Sequence, residues 1–512
     1  MSNTSPALPR RTLLTGAGAV LAAGALARPL DAAAAPPPDR GPRNDRLLRR
    51  WACDTWRSMA AMADPKTGLV ADNIDANLTR RSGYTSPTNI GGYLWCVVIA
   101  RDLGFIRPTE ARQRIARTLS TLEKMERHQP SGMYYNWYDE ASGALLRKWP
   151  EDGKAFVPFV SSVDMGWLGA ALKVVINADP TNRRAAQRLF TSMRWDMFND
   201  PDWHKPGGAT FGGFYTEDPH REGVTLLAPK HGIGGPKVWY TTGHHYDTAI
   251  SEARMVTYLG IATNQIAPQA YFGTYRTFPP DWTWPEMPPV GEWRTYLGVD
   301  VYEGAHRYRG MRIVPGWGGS MFEELMPDLF VDEAAWGPRS WGVNHPLHVR
   351  AQREHGMDEA KYGYWGFSPC SNPAGGYREY GVDALGLNPE GYFSDQEKTD
   401  YRHDNPPTRY GDGVVTPHAS FLAMMHEPTQ ASENLRRIEI QLGCYGRGGF
   451  YDAVATRSGQ VARRYLSLDQ AMSLGALGNV LLHNRLRRWF SDAPVRQRLR
   501  PVIAMETFGA GV

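Results

Sequence analysis

Apolar residues recur at i, i+3 and i+4 spacing in ten stretches, from DRLLRRWACDTWRSMAAMA, which begins at Asp45, to LDQAMSLGALGNVLLHN, which begins at Leu468. That period predicts helices with a buried face, whereas two-residue alternation, the mark of strands, is sparse. The helices fall into two classes. GGYLWCVVIARDLG and VDMGWLGAALKVVINA are apolar nearly all round and carry Gly and Trp, as a helix enclosed on every side does. Residues 109–128 and 181–198 instead carry an Arg-rich face that must meet water. Enclosed and amphipathic helices alternate along the chain. This pattern describes an all-α fold, a double-layered helical toroid of the (α/α)6 barrel type with long loops at one mouth.

An internal repeat points the same way. SPTNIG (86–91) and SSVDMG (161–166) share S-x-x-[N/D]-x-G, and each opens an enclosed helix that an amphipathic helix follows. The serine hydroxyl suits an N-cap, and recurrence of a two-helix unit is what a closed helical barrel shows. Binding and chemistry concentrate on the loops of such a scaffold.

Composition adds a ligand class. There are 17 Trp, 24 Tyr and 53 Gly, and many of the rings sit beside glycines: GMYYNWYDE, FGGFY, VPGWGG, KYGYWGF, AGGYREYG, GRGGFYDA. Flat rings held on glycine loops suit sugar faces, which offer C–H groups to a π surface and hydroxyls to polar neighbours. Trp317, Trp365, Tyr377 and Phe450, with His245 and Asp412, are the candidate substrate contacts. Dense loop packing is the alternative reading for the rings, and a D-G turn for Asp412. A net charge of +4 without basic blocks argues against nucleic acid as a partner. Twin arginines (Arg10, Arg11), an Ala/Gly-rich apolar run and small residues before Pro36 read as a twin-arginine export signal over 1–35. The run is shorter than the ~20 residues of a membrane span, so no stable membrane insertion is expected once the signal is removed. A Pro-rich linker at 36–45 and one catalytic domain at 46–512 complete the expected organisation of a secreted protein. Cys53, Cys96, Cys370 and Cys444 lack C-x-x-C spacing; one or two disulfides are compatible with export, with the pairing open.

Glycosidic hydrolysis needs two carboxyl groups, one protonated to donate to the leaving oxygen and one ionised to activate water or to attack. Candidates belong in apolar surroundings, where burial raises a carboxyl pKa. Glu252, in HHYDTAISEARMVTYLGIA, is expected one turn inside an enclosed helix capped by Asp247. Asp452 follows the glycine loop of GRGGFYDAV. Asp164, in SSVDMGW, caps its helix or lines the mouth. Glu323 stands among apolar residues in GWGGSMFEELMPDL, with Glu324 expected to face solvent. Asp469 reads as an N-cap. No H-E-x-x-H, P-loop or G-x-S-x-G is present, His244 and His245 diverge as neighbours on one segment, and TDYRHDNPPTRYGDG lacks EF-hand spacing. No metal or cofactor is expected.

At these residues the chain resembles a family. YWGFSPCSNPAGGYREYG, GDGVVTPHASFLAMMHEP, GCYGRGGFYDAV and YLSLDQAMSLGAL resemble the C-terminal glycoamylase-like module of bacterial endo-β-1,2-glucanases and cyclic β-1,2-glucan synthases. GWGGSMFEELMPDLF resembles the G-[ST]-M-F-E-x-L-M-P segment of the synthases, and TSPTNIGGYLW and SSVDMGWLGAAL resemble the N-terminal half of the same barrels. The resemblance implies an (α/α)6 barrel acting on β-1,2-linked glucan without a cofactor. It implies Glu252 and Asp452 as the acid and base of an inverting hydrolase, their carboxyls roughly 6.5–9.5 Å apart. One departure stands out: synthase relatives carry a glutamate soon after W-G-[FIL]-S, where this chain has Pro369 and Cys370, which weighs against a retaining transglycosylase. A different loop there also leaves another β-glucan or a cell-surface polysaccharide open as substrate. Two other functions fit a helical toroid: a polysaccharide lyase using Tyr240, His244 and Tyr246, and a non-catalytic glycan-binding protein.

Overall fold

The computed structural model describes residues 42–281, 287–387 and 410–512. In chain order its helices are α1 (Pro42–Met62), α2 (Pro87–Asp102), α3 (Pro108–Leu122), α4 (Ser162–Ala178) and α5 (Arg183–Thr191). Next come α6 (Arg254–Ala262), α7 (Met321–Leu325), α8 (Glu333–Trp336), α9 (Trp341–Glu354) and α10 (Pro417–Ala423). The series closes with α11 (Pro428–Gln441), α12 (Ser467–Leu481), α13 (Arg485–Phe490) and α14 (Ala493–Ile503). Each of the ten periodic stretches holds one of these helices. Those over 109–128 and 181–198 stop early, α3 at Leu122 and α5 at Thr191.

The helices form two layers. α2 packs on α4 and α12, α4 on α6, and α12 and α7 on α10. Each of these inner helices carries an outer one: α3 on α2, α5 on α4, α14 on α6, α9 on α7, α11 on α10 and α1 on α12. Inner α2 is buried from Pro87 to Ala100, whereas outer α3 buries only Ala111, Ile115, Thr118, Leu119 and Leu122, the i, i+3, i+4 stripe. Small residues let the inner helices approach. A Cβ at Gly91 would lie 2.9 Å from the Trp167 carbonyl oxygen of α4, and one at Gly92 would lie 2.8 Å from Ala471 of α12.

The all-α expectation holds in part. Helix accounts for 41% and strand for 17%, too much strand for an all-α chain. The strands are two to four residues long, below the length at which alternation shows in a sequence. Several run directly into inner helices: Phe159–Ser161 into α4, Val414–Val415 toward α10 and Arg464–Leu466 into α12. The export signal and most of the linker lie outside the described residues, and α1 begins at Pro42, inside the segment read as linker. All four cysteines are free, so none of the disulfides compatible with export is formed among the described residues. No helix there is long and apolar enough to cross a membrane.

The α2–α4 contact makes a testable point. Gly91→Ala gains helix propensity but forces a methyl group onto the α4 backbone. It is expected to lower unfolding free energy by about 1–3 kcal/mol in chemical denaturation; unchanged stability would show that the two helices are not in close contact there.

Candidate active site

The N-terminal ends of inner helices converge on one mouth. A cavity of about 590 Å³ opens there, lined by Ser86, Thr88 and Asn89 at the start of α2, by Val163 and Asp164 of α4, by Leu468 and Asp469 of α12, and by Glu252. A positional rule emerges. Asn89, Asp164, Glu323 and Asp469 are each the third residue of their helix. In the first three, a serine three residues earlier accepts the backbone N–H of that residue: Ser86 from Asn89, Ser161 from Asp164 and Ser320 from Glu323. The positive end of each helix favours an anion at this position and offsets part of the cost of burial.

Short strands set the remaining positions. Asn73–Asp75 pairs antiparallel with Arg464–Leu466, Asn73 opposite Leu466, and Ser467 N–H donates to the Asp72 carbonyl at 2.8 Å. Asp72 and Asp469 therefore line the same cavity. Val415 pairs with Val454, and Thr416 Oγ1 donates to the Asp452 carbonyl at 2.8 Å, which fixes Asp452 behind the start of α10.

Asp452 and Asp469 are buried and Asp72, Asp164 and Glu252 half-buried, and they cluster with one another rather than beside cations. Glu252 Oε2 accepts the Trp167 indole N–H at 2.6 Å. Burial pushes its pKa up to about 8, and Asp164, Glu323 and Glu379 add to the rise against that bond. Asp164 is raised by burial while Thr88 Oγ1 donates to it at 2.6 Å. With its amide oriented to satisfy both ends, Asn136 Nδ2 donates to Asp164 Oδ2 at 2.7 Å. Asp72, raised by burial, accepts from Asn89 and Asn73. Asp469 is pushed up to about 7 by burial, with Asp72 raising it further and a bond with Asp452 lowering it. Asp452 stands well above the ordinary range, through burial and then through Asp469. A hydrogen bond between these two carboxyls requires one shared proton, so they form a dyad with Asp469 as the member facing the cavity. Ser371 N–H anchors Asp452 at 2.6 Å. His418, held near pKa 4 by burial and hence neutral, lies 3.2 Å from Asp469.

An aromatic wall lines the same cavity. Tyr84, Trp137 and Trp149 line the cavity and meet edge to face, at 5.2–5.7 Å between ring centroids. Tyr377, 53% exposed, overhangs the same space.

Comparison with known proteins agrees with this architecture. Residues 244–494 match the Glycoamylase family model, described as "Putative glucoamylase", and residues 50–200 match a family described as a protein of unknown function (DUF3131). The cyclic β-(1,2)-glucan synthase NdvB of Rhizobium meliloti (strain 1021) is 25% identical over 88% of the chain. The chain spans only 18% of that relative's length. Among solved structures, the endo-β-1,2-glucanase of Chitinophaga pinensis, in complex with sophorotriose and glucose, superposes with a TM-score of 0.62 at 14% identity, covering 90% of this chain and 98% of that one. The endo-β-1,2-glucanase of Talaromyces funiculosus, in complex with sophorose, gives 0.61 at 13% identity, covering 90% and 89%. Residues 244–494 are thus similar to the Glycoamylase family, and the chain shares the fold of these glucanases.

The expected site residues divide. Glu252, Asp164 and Tyr377 line the cavity, Glu323 acts electrostatically on Glu252, and Asp452 reaches the cavity only through Asp469. Glu252 lies in the turn before α6, not inside it, and α6 has no side-chain cap; Asp247 is not its cap. Glu324 is fully buried against His345 (2.6 Å) and Asn344 rather than solvent-facing. Asp469 is no N-cap, since Leu466 takes that place.

The proposed sugar contacts need more correction. Trp365 is only 2% exposed, held in the core with its carbonyl bonded to Asn434. Phe450, also 2% exposed, packs among Trp51, Phe421 and Tyr445. His245 is buried between Asp200 (3.0 Å) and the Trp203 ring. Asp412 pins a turn by accepting Ser458 N–H at 2.6 Å. Trp317 meets Phe278 edge to face, outside the described lining of the cavity. Among the lyase candidates, Tyr240 is fully buried with its hydroxyl on Met197 Sδ. Asp72, Asn89, Asn136, Tyr84 and Trp149 went unnoticed in the sequence; for Asn89 the S-x-x-N repeat was the available signal.

Buried ionic chemistry continues behind the mouth. Ligand-type atoms of Asp328, Glu333 and His345 lie within 4.8 Å of one another, and Arg254 and Arg487 already balance their charge.

A pH test follows from Glu252. Its carboxyl holds a proton in the folded protein up to about pH 8, whereas the ordinary value is 4.5. Folded chains therefore bind a proton that unfolded chains have released, and this group's contribution falls as pH rises from about 4.5 to 8. Glu252→Gln removes that loss. The variant is expected to gain stability relative to wild type from pH 5 to pH 9 in denaturant titrations; a flat difference would show that Glu252 titrates in the ordinary carboxyl range.

Proposed function

We propose that this protein is an exported glycoside hydrolase that cleaves β-1,2-linked glucan with inversion, in a barrel closed by six helix pairs as an (α/α)6 toroid. The observation that carries the reading is the pairing, in one aromatic-walled cavity, of a carboxyl kept protonated to about pH 8 with a carboxyl dyad that shares a proton. Glu252 donates its proton to the leaving oxygen, and Trp167 holds it in line. Asp469 accepts the proton of the attacking water. Asp452, behind it, keeps the shared proton and thereby favours the ionised form of Asp469. The two roles come from the turn before α6 and from α12, which line one cavity; inversion calls for carboxyls roughly 6.5–9.5 Å apart with a water between them. The wall of Tyr84, Trp137 and Trp149 stacks the sugar rings. Substrate identity rests on the relatives, whose names specify β-1,2-glucan or its oligosaccharides. Export rests on Arg10 and Arg11 and the apolar run behind them.

The lyase reading is weaker. Elimination acts on uronic acids, whose carboxylate must be neutralised, and the cavity is lined by Asp72, Asp164, Glu252 and Asp469 without a basic side chain among its described lining. A pure binding protein has no need of two carboxyls with elevated pKa values, a signature of acid–base chemistry.

Incubation with linear β-1,2-glucan is expected to release reducing sugar, whose first-formed anomer, read by NMR, is α. Glu252→Gln and Asp469→Asn each lower kcat by about 10²–10⁴ with the fold retained, and Asp452→Asn lowers it less. Full activity in Glu252→Gln, or an unsaturated, UV-absorbing product, would overturn the proposal.

A further inference from the structure

Glu252 has an unusual support. It sits in a turn that no α-helical ladder holds, with Met255 N–H returning to its carbonyl at 3.1 Å. The Arg254 side chain, 7% exposed, folds back over that turn. Nη1 donates to the Ser251 carbonyl at 2.9 Å and to the Glu323 carbonyl at 2.6 Å. Nη2 donates to the Glu324 carbonyl at 2.5 Å and to Glu333 Oε2 at 3.0 Å, and Nε donates to Glu333 Oε1 at 2.8 Å. All five N–H groups of the guanidinium are thus engaged. Glu333 is fixed in turn by the Tyr258 hydroxyl at 2.6 Å, and the Trp341 ring covers the guanidinium at 4.6 Å.

We infer that Arg254 is a positioning residue that sets Glu252 and Glu323 relative to each other by clamping the turn before α6 to the first turn of α7. This rests on Glu252 being the proton donor proposed above. Two carboxyl-bearing segments far apart in sequence are tied by one planar group, so the distance between their side chains is fixed by the fork geometry. Lysine offers three donors on one atom and is unable to span the same acceptors.

The test uses the full chain. Arg254→Lys keeps the charge and loses the fork; Glu333→Gln keeps the arginine and weakens its anchor, and serves where the lysine variant fails to fold. In either background the stability gain of Glu252→Gln between pH 5 and pH 9 is expected to shrink at least by half, because a loosened turn exposes more of the half-buried Glu252 to water. The single variants lower kcat for β-1,2-glucan by about 10–100-fold, leave KM within about twofold, and move the alkaline limb of the pH profile downward. A full, undiminished Glu252→Gln effect in both backgrounds overturns the inference, as does a loss of kcat with the alkaline limb unmoved. Should wild type turn over no glucan, the hydrolase proposal fails, and the stability cycle alone still decides the role of Arg254.

Discussion

The structure depends on burying several carboxyl groups together at the positive ends of helices. A carboxylate taken from water without a cation partner is costly, and a protein meets that cost by protonation, by hydrogen bonds or by oriented dipoles. The mouth of this barrel uses all three. Asp164 and Asp469 sit in first turns, Thr88, Asn89 and Trp167 supply donors, and Glu252 and the Asp452–Asp469 pair retain protons. Groups poised in this way can give and take a proton near neutral pH.

A few residues away, the same side chains meet the opposite solution. Glu323 and Glu324 are neighbours on α7. Glu323 acts on Glu252 at the mouth, while Glu324 turns to His345 and Asn344. Burial alone would raise the pKa of Glu324, but His345, His348 and Arg254 outweigh it and keep the carboxyl below its ordinary value. His345 is raised to about 9 by Glu324 and Glu333 against the effect of burial. The interior layer is therefore ionic and balanced, and it supports a mouth that is protonated and reactive. Arg254 belongs to the first and reaches the second.

The sequence disclosed the helices better than the contacts. Long apolar or amphipathic periods at α2, α4 and α12 were legible, whereas α7, five residues long, and strands of two to four residues offer no period to read. The S-x-x-[N/D] repeat at Ser86 and Ser161 identified a true feature, and the same spacing at Ser320 and Glu323 is its third instance. Asp469, read as an N-cap, fell outside the repeat because Leu466 stands where the serine would be. Aromatic residues beside glycine misled: Gly366 and Gly449 adopt positive φ, +106° and +94°, and a Cβ there would press on Ser420 and on Thr55. Those glycines let the backbone pack closely, and their neighbours Trp365 and Phe450 fill the core. The wall that does face the cavity comes from Tyr84, Trp137 and Trp149, of which only Trp137 lay in a quoted aromatic run.

The protonation state of Glu252 tests this account most directly. Infrared difference spectra between wild type and Glu252→Gln, taken from pH 5 to pH 10, isolate its carboxyl stretch. The account predicts a protonated carboxylic acid band at pH 6 that gives way to carboxylate near pH 8. A carboxylate band already present at pH 6 would contradict it.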